Sequence, residues 1–113
     1  EVPQTEKDFR QAVVALAKLM GWRLYGTWSS LHSPQGYPDL TLAREKPDGT
    51  AELVFLELKS TKGQVMPEQA EWLALLGKVP GVKALCVRPS DWDALTELLL
   101  NAEPIPPELK GEG

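Results

Sequence analysis

Asp39, Glu57 and Lys59 are the residues whose types and spacing could do chemistry. Two acceptor-only carboxylates and an ammonium, the last two held one residue apart, suit metal-assisted hydrolysis of a phosphodiester. Glu57 and Lys59 belong to Ala51-Glu52-Leu53-Val54-Phe55-Leu56-Glu57-Leu58-Lys59, which contains four consecutive apolar residues between a Pro-Asp-Gly turn and a Ser-Thr-Lys-Gly loop. That pattern predicts a buried strand. Side chains alternate along a strand, so Glu57 and Lys59 project to one face and Leu56 and Leu58 to the other.

The stretch Pro38-Asp39-Leu40-Thr41-Leu42-Ala43 alternates in the same way, and Pro47-Asp48-Gly49 turns the chain between the two stretches. An antiparallel pair is expected, with Asp39 facing Glu57 across the sheet. Two hard oxygen ligands at such a place suit a magnesium-like cation. A plainer reading stands beside it, in which Glu57 and Lys59 form an exposed ion pair and Asp39 is part of a turn. Glu-x-Lys alone favours that reading, because such triplets are common on solvated strands. The combination with Pro38-Asp39 and with the helix entry Gly63-Gln64-Val65-Met66-Pro67-Glu68-Gln69 favours the metal site.

Gly36-Tyr37-Pro38-Asp39-Leu40, Leu56-Glu57-Leu58-Lys59, Gly63 and Gln69 together resemble the core of the PD-(D/E)xK nuclease superfamily, and within it the VRR-NUC domain family. The resemblance covers about Thr5 to Arg88. It implies a restriction-endonuclease-like α/β fold, with Asp39, Glu57 and the backbone carbonyl of Leu58 as ligands of Mg2+ or Mn2+. It further implies Lys59 as the catalytic lysine, Gln69 as a site residue on the following helix and Glu6 as the acidic residue of the first helix. Some relatives carry a tyrosine after the helix glutamine, where this chain has Trp72 and Leu73. Stand-alone domains of this family are similar to Holliday junction resolvases, which implies a homodimer acting on branched DNA. A non-cutting DNA-binding module on the same fold is the alternative.

These residues must be positioned by the elements around them. Thr5-Glu6-Lys7-Asp8 has the form of a capping box, and Phe9, Val13, Leu16 and Met20 follow at helical spacing up to Gly21. Glu6 in the first turn has two readings, a complement to the helix dipole or a site acid. Trp22 to Trp28 is expected as a strand. The polar loop that follows carries His32, the single histidine, for which a solvated loop residue and a phosphate contact are the two readings. Tyr37 and Trp28 could stack on bases or serve the core, and Lys62 beside Gly63 could approach a phosphate.

Pro67 fits a first helical position, with Trp72, Leu73, Leu75 and Leu76 on the apolar face. Val82–Val87 is expected as a strand parallel to Ala51–Lys59, because a helix makes the crossover. Ser90 is expected to cap a last helix carrying Trp92, Leu95, Leu98 and Leu99. The order α-β-β-β-α-β-α describes a mixed sheet flanked by helices, in one domain over residues 1–100, followed by a Pro/Gly-rich flexible tail over 101–113.

With 113 residues, 42% hydrophobic and 25% charged, the chain has the composition of one ordinary globular domain. One cysteine and one histidine exclude an internal disulfide and a zinc cluster, and Cys86 in an apolar run is expected as a buried thiol. The net charge of −4 is uneven: six of the sixteen acids but only one of the twelve bases follow Arg88, which leaves residues 1–88 one charge positive. That balance is compatible with DNA but argues against a broad basic face. No run is apolar enough to span a membrane and no segment looks like a signal, so a cytoplasmic protein is expected. With no initiator Met, a trimmed or partial chain is expected, and a helicase, another repair partner or a parent chain could supply further DNA grip.

Overall fold

The computed structural model of the protein describes residues 5–26 and 36–101. Within them run α1 (Glu6–Leu19), β1 (Arg23–Gly26), β2 (Leu40–Glu45), β3 (Ala51–Leu58), α2 (Pro67–Leu76), β4 (Val82–Val87), a 3-10 turn at Pro89–Asp91 and α3 (Trp92–Asn101). The four strands form one sheet in the order β1-β2-β3-β4. The first two pairings are antiparallel, and β3 with β4 is parallel. The expected mixed sheet flanked by helices is the observed architecture.

Helix α1 starts where Thr5 Oγ1 accepts the Asp8 backbone N–H at 3.2 Å, as the capping pattern predicts. Phe9, Val13 and Ala17 form its buried stripe, with Leu16 and Met20 at the margin. They join Leu40, Leu42, Val54, Leu56 and Leu58 of the sheet and Leu95, Leu98 and Leu99 of α3 in one core. Alternation sends Phe55, Glu57 and Cys86 to the opposite face, toward α2 and its buried Leu73. Burying one of these leucines contributes about 1.5–3 kcal/mol. A one-residue slip of β3 would exchange its core leucines for Glu57, so packing fixes the face on which that carboxylate stands.

Strand β1 starts one residue inside the expected Trp22 and strand β3 ends one residue inside the expected Lys59, and two other boundaries differ for a visible reason. Strand β2 begins at Leu40, because Pro38 has no N–H to donate and Asp39 uses its side chain elsewhere. Ser90 does not cap α3: Asp91 Oδ2 accepts the Arg88 backbone N–H at 2.8 Å, which closes the 3-10 turn and delays the helix to Trp92.

Trp22 is 3% exposed and donates its Nε1–H to the Leu99 carbonyl at 2.9 Å, while the Arg44 guanidinium lies 4.4 Å from its ring centre. Trp92 packs edge-on against Phe9, with ring centres 6.4 Å apart. Trp28, His32 and the expected tail beyond Asn101 lie outside the described residues. Among the described residues no helix is long and apolar enough to cross a membrane.

Candidate active site

The site forms at the end of the sheet where β2 begins and β3 ends. The last β2–β3 pair is Leu40 with Leu56, and one step further along the same register Asp39 stands opposite Glu57. Asp39 Oδ2 accepts the Leu58 backbone N–H at 2.8 Å, so a strand-end amide that would otherwise lack a partner fixes this carboxylate. Lys59 follows β3 directly, and its backbone N–H donates to the Val87 carbonyl on β4 at 3.0 Å.

Glu57 is the buried charge of the set, 3% exposed. Its Oε2 lies 3.6 Å from Lys59 Nζ and accepts from Gln69 Nε2 at 2.7 Å. Its Oε1 is buried without a hydrogen-bond partner. Loss of water around the carboxylate, and next the negative charge of Asp39, push the Glu57 pKa up to about 8 against the opposing pull of Lys59. An oxygen left this way costs about 1–3 kcal/mol, which calls for a counter-charge or a ligand.

Gln69 is placed by α2. Its Oε1 accepts the Met66 backbone N–H at 2.8 Å, so the side chain caps the helix with one end and holds Glu57 with the other. Gly36 locks the Asp39 segment to the same helix turn. It has φ +87°, and a Cβ there would sit 2.6 Å from the Glu68 carbonyl carbon and 2.8 Å from the Gln69 nitrogen. Tyr37 continues the clasp with its ring centre 4.9 Å from Trp72 and 6.2 Å from Phe55, both edge-on. Its half-buried ring packs between β3 and α2 through these two contacts.

Asp39, Glu57, Lys59 and Gln69 therefore meet. Lys62 is exposed on the adjacent loop, whose Ser60 and Gly63 carbonyls both accept from Arg88 Nη1. Glu6 is exposed in the first turn of α1. What sequence reasoning missed is Arg10, one turn after Glu6, whose Nη1 lies 4.0 Å from Asp39 Oδ1. Gly26 was the available signal, because a glycine at the end of a strand pattern often marks a close approach. A Cβ at Gly26 would fall 2.5 Å from Arg10 Nη2.

No cluster of three or more His, Cys, Asp or Glu side chains exists among the described residues. The donor set is two carboxylates and nearby backbone oxygen, which suits a cation that keeps much of its own water. Glu57 Oε1, unpaired and beside Asp39, fits such a guest.

The family model of the VRR-NUC domain matches residues 5–89, which takes in all four of these side chains. The chain belongs to the VRR-NUC domain family. That places it in the PD-(D/E)xK nuclease-like superfamily. No curated protein and no solved structure matches the chain. For this VRR-NUC domain, the four-stranded mixed sheet with helices on both faces is the nuclease-like core expected of the family.

Proposed function

We propose that this VRR-NUC domain is a metal-dependent endonuclease that hydrolyses DNA phosphodiester bonds at Asp39, Glu57 and Lys59. The observation that carries the reading is Glu57: a carboxylate 3% exposed, with a hydrogen-bond donor and an ammonium on one oxygen and no hydrogen-bond partner on the other, beside a second carboxylate. An ordinary surface ion pair would leave both oxygens to water. Glu57 Oε1 and Asp39 would hold the ion, together with the Leu58 carbonyl, which in an extended strand points the same way as the Leu58 N–H that Asp39 accepts. Oxygen ligands without sulfur or imidazole favour Mg2+ or Mn2+. Bound there, the ion supplies Lewis-acid polarisation of the phosphoryl group and lowers the pKa of attacking water.

The side chains do the rest. Lys59, on the same face as Glu57, orients or deprotonates the attacking water or stabilises charge that develops on the phosphoryl oxygens. Gln69 keeps Glu57 in one rotamer from the rigid start of α2. Asp39 is fixed by the Leu58 amide before any substrate arrives. Preorganisation of this kind lowers the reorganisation needed at the moment of reaction. Glu6, exposed in the first turn of α1, would add a water-mediated or second-metal contact.

One site cuts one strand, so cutting both needs two sites or two visits. On that ground the enzyme is a homodimer that prefers branched DNA. Incubating supercoiled, linear and four-way DNA with Mg2+, Mn2+ or EDTA tests the proposal. Cleavage with either metal and none in EDTA is expected, with four-way DNA cut fastest. Binding of DNA without cleavage under every metal condition would leave a non-cutting DNA-binding module. Equal cutting of all three, by a protein that light scattering shows to be a monomer, would remove branch preference and dimer.

A further inference from the structure

Resting on the metal-dependent reading above, we propose that the charge of Arg10 keeps the metal-free site from carrying net negative charge, so that a divalent cation enters with nucleic-acid phosphate rather than ahead of it.

Each carboxylate of the site already has a cation. Lys59 Nζ lies 3.6 Å from Glu57, and Arg10 Nη1 lies 4.0 Å from Asp39. The Arg10 side chain is 15% exposed and that of Asp39 25%, so water screens the second pair only in part. The guanidinium is held there by the fold. It fills the space that a side chain at Gly26 would take, because a Cβ would stand 2.5 Å from Arg10 Nη2 and 3.2 Å from Leu40 Cδ2.

Arg10 is not needed to place Asp39. The Leu58 amide already fixes Oδ2, whereas Arg10 approaches Oδ1, the other oxygen. What it adds is charge, and an arginine stays charged at any working pH. With Glu57 ionised the two carboxylates, the ammonium and the guanidinium sum to zero, and with Glu57 protonated the site is one charge positive, so in either state a divalent cation entering alone meets no net negative charge and a guanidinium already on one of its ligands. A phosphodiester brings the negative charge that the added cation requires. Metal and DNA therefore each raise the affinity of the other, by the same factor, as linkage demands.

The test is Mn2+ titration followed by electron paramagnetic resonance, on the protein alone and with a phosphorothioate duplex that resists cleavage. The wild type is expected to bind Mn2+ weakly alone and about tenfold or more tightly with the duplex. Arg10→Met, which keeps length but removes charge, should bind Mn2+ alone about tenfold or more tightly than wild type, with a smaller further gain from DNA. Arg10→Lys should stay near the wild type, an outcome that a purely structural role would not produce. Should Arg10→Met not fold, Gly26→Ala displaces the guanidinium without deleting it and is expected to shift Mn2+ affinity the same way. Unchanged or weaker Mn2+ affinity in the folded variant overturns the inference. If Asp39→Asn abolishes Mn2+ binding at the same time, the nuclease reading survives and only the Arg10 role falls. If no Mn2+ binds with or without duplex, both fall.

Discussion

Replacing Glu57 by Gln should stabilise the metal-free protein while destroying the proposed activity. Glutamine keeps the shape of the side chain and an oxygen for Gln69, but it removes the ionisation that burial and Asp39 oppose. The Glu57 pKa rises from 4.5 to about 8 on folding. At about 1.4 kcal/mol per pKa unit the ceiling of the effect is about 5 kcal/mol, and relaxation and water entry leave on the order of 2–3 kcal/mol. The direction follows from proton counting. Below pH 4.5 the carboxyl is protonated in both states, and between 4.5 and about 8 the unfolded chain has lost a proton that the folded chain keeps. Stability of the wild type therefore falls as pH rises through this window and levels off above it. Urea unfolding in EDTA at several pH values from 5 to 8.5, for wild type and Glu57→Gln, isolates the contribution. The difference cancels other groups such as Asp48, whose carboxyl is held below its usual range by the Thr50 hydroxyl and amide. The variant should gain on the wild type steadily toward pH 8. A difference independent of pH would refute the reasoning, because it would mean that Glu57 ionises in the folded protein as easily as in the unfolded chain.

Three further outcomes follow from the geometry. Gly26→Ala forces the Arg10 guanidinium out of its space, since the new Cβ would meet Nη2 at 2.5 Å; because the tip of a flexible side chain can move, thermal unfolding should show a loss of no more than about 1 kcal/mol, and a larger loss would mean that the guanidinium cannot leave its place. Trp22→Phe removes the donor to the buried Leu99 carbonyl and the face over which Arg44 lies, so denaturant titration should show a loss of about 1–3 kcal/mol. Gln69→Leu deprives Glu57 Oε2 of its 2.7 Å donor and uncaps the Met66 amide; steady-state cleavage should show a fall in kcat larger than any rise in KM, and an unchanged kcat would remove Gln69 from the site.

How much of this was legible in the sequence depended on whether local alternation carried the information. Glu57 and Lys59 lie in a strand whose apolar neighbours must take the other face, so period 2 alone assigned them to one side. Asp39 opposite Glu57 followed from the hairpin register, and Gln69 from the Met-Pro-Glu-Gln helix entry. The start of β2 was misjudged because alternation continues through Pro38 and Asp39, whereas hydrogen bonding does not. Ser90 and Asp91 offered competing caps, and the carboxylate won by closing onto the Arg88 amide. Arg10 was hidden for a different reason. Its helix position marks it only as a neighbour of buried Phe9, and its meeting with Asp39 depends on how α1 lies across the sheet, which no local period encodes. The clasp of Gly36 and Tyr37 on α2 is likewise a long-range contact.

The central claim is that Asp39, Glu57 and Lys59 form one metal-dependent hydrolytic site. Its most direct test is cleavage of DNA with Mg2+ or Mn2+ by the wild type beside Asp39→Asn, Glu57→Gln and Lys59→Met, each checked for folding by circular dichroism. Cleavage by the wild type that EDTA abolishes, and a loss of at least about a hundredfold in each folded variant, is the predicted result. Cleavage that persists in EDTA, or near wild-type rates in the folded Glu57→Gln protein, would contradict the account.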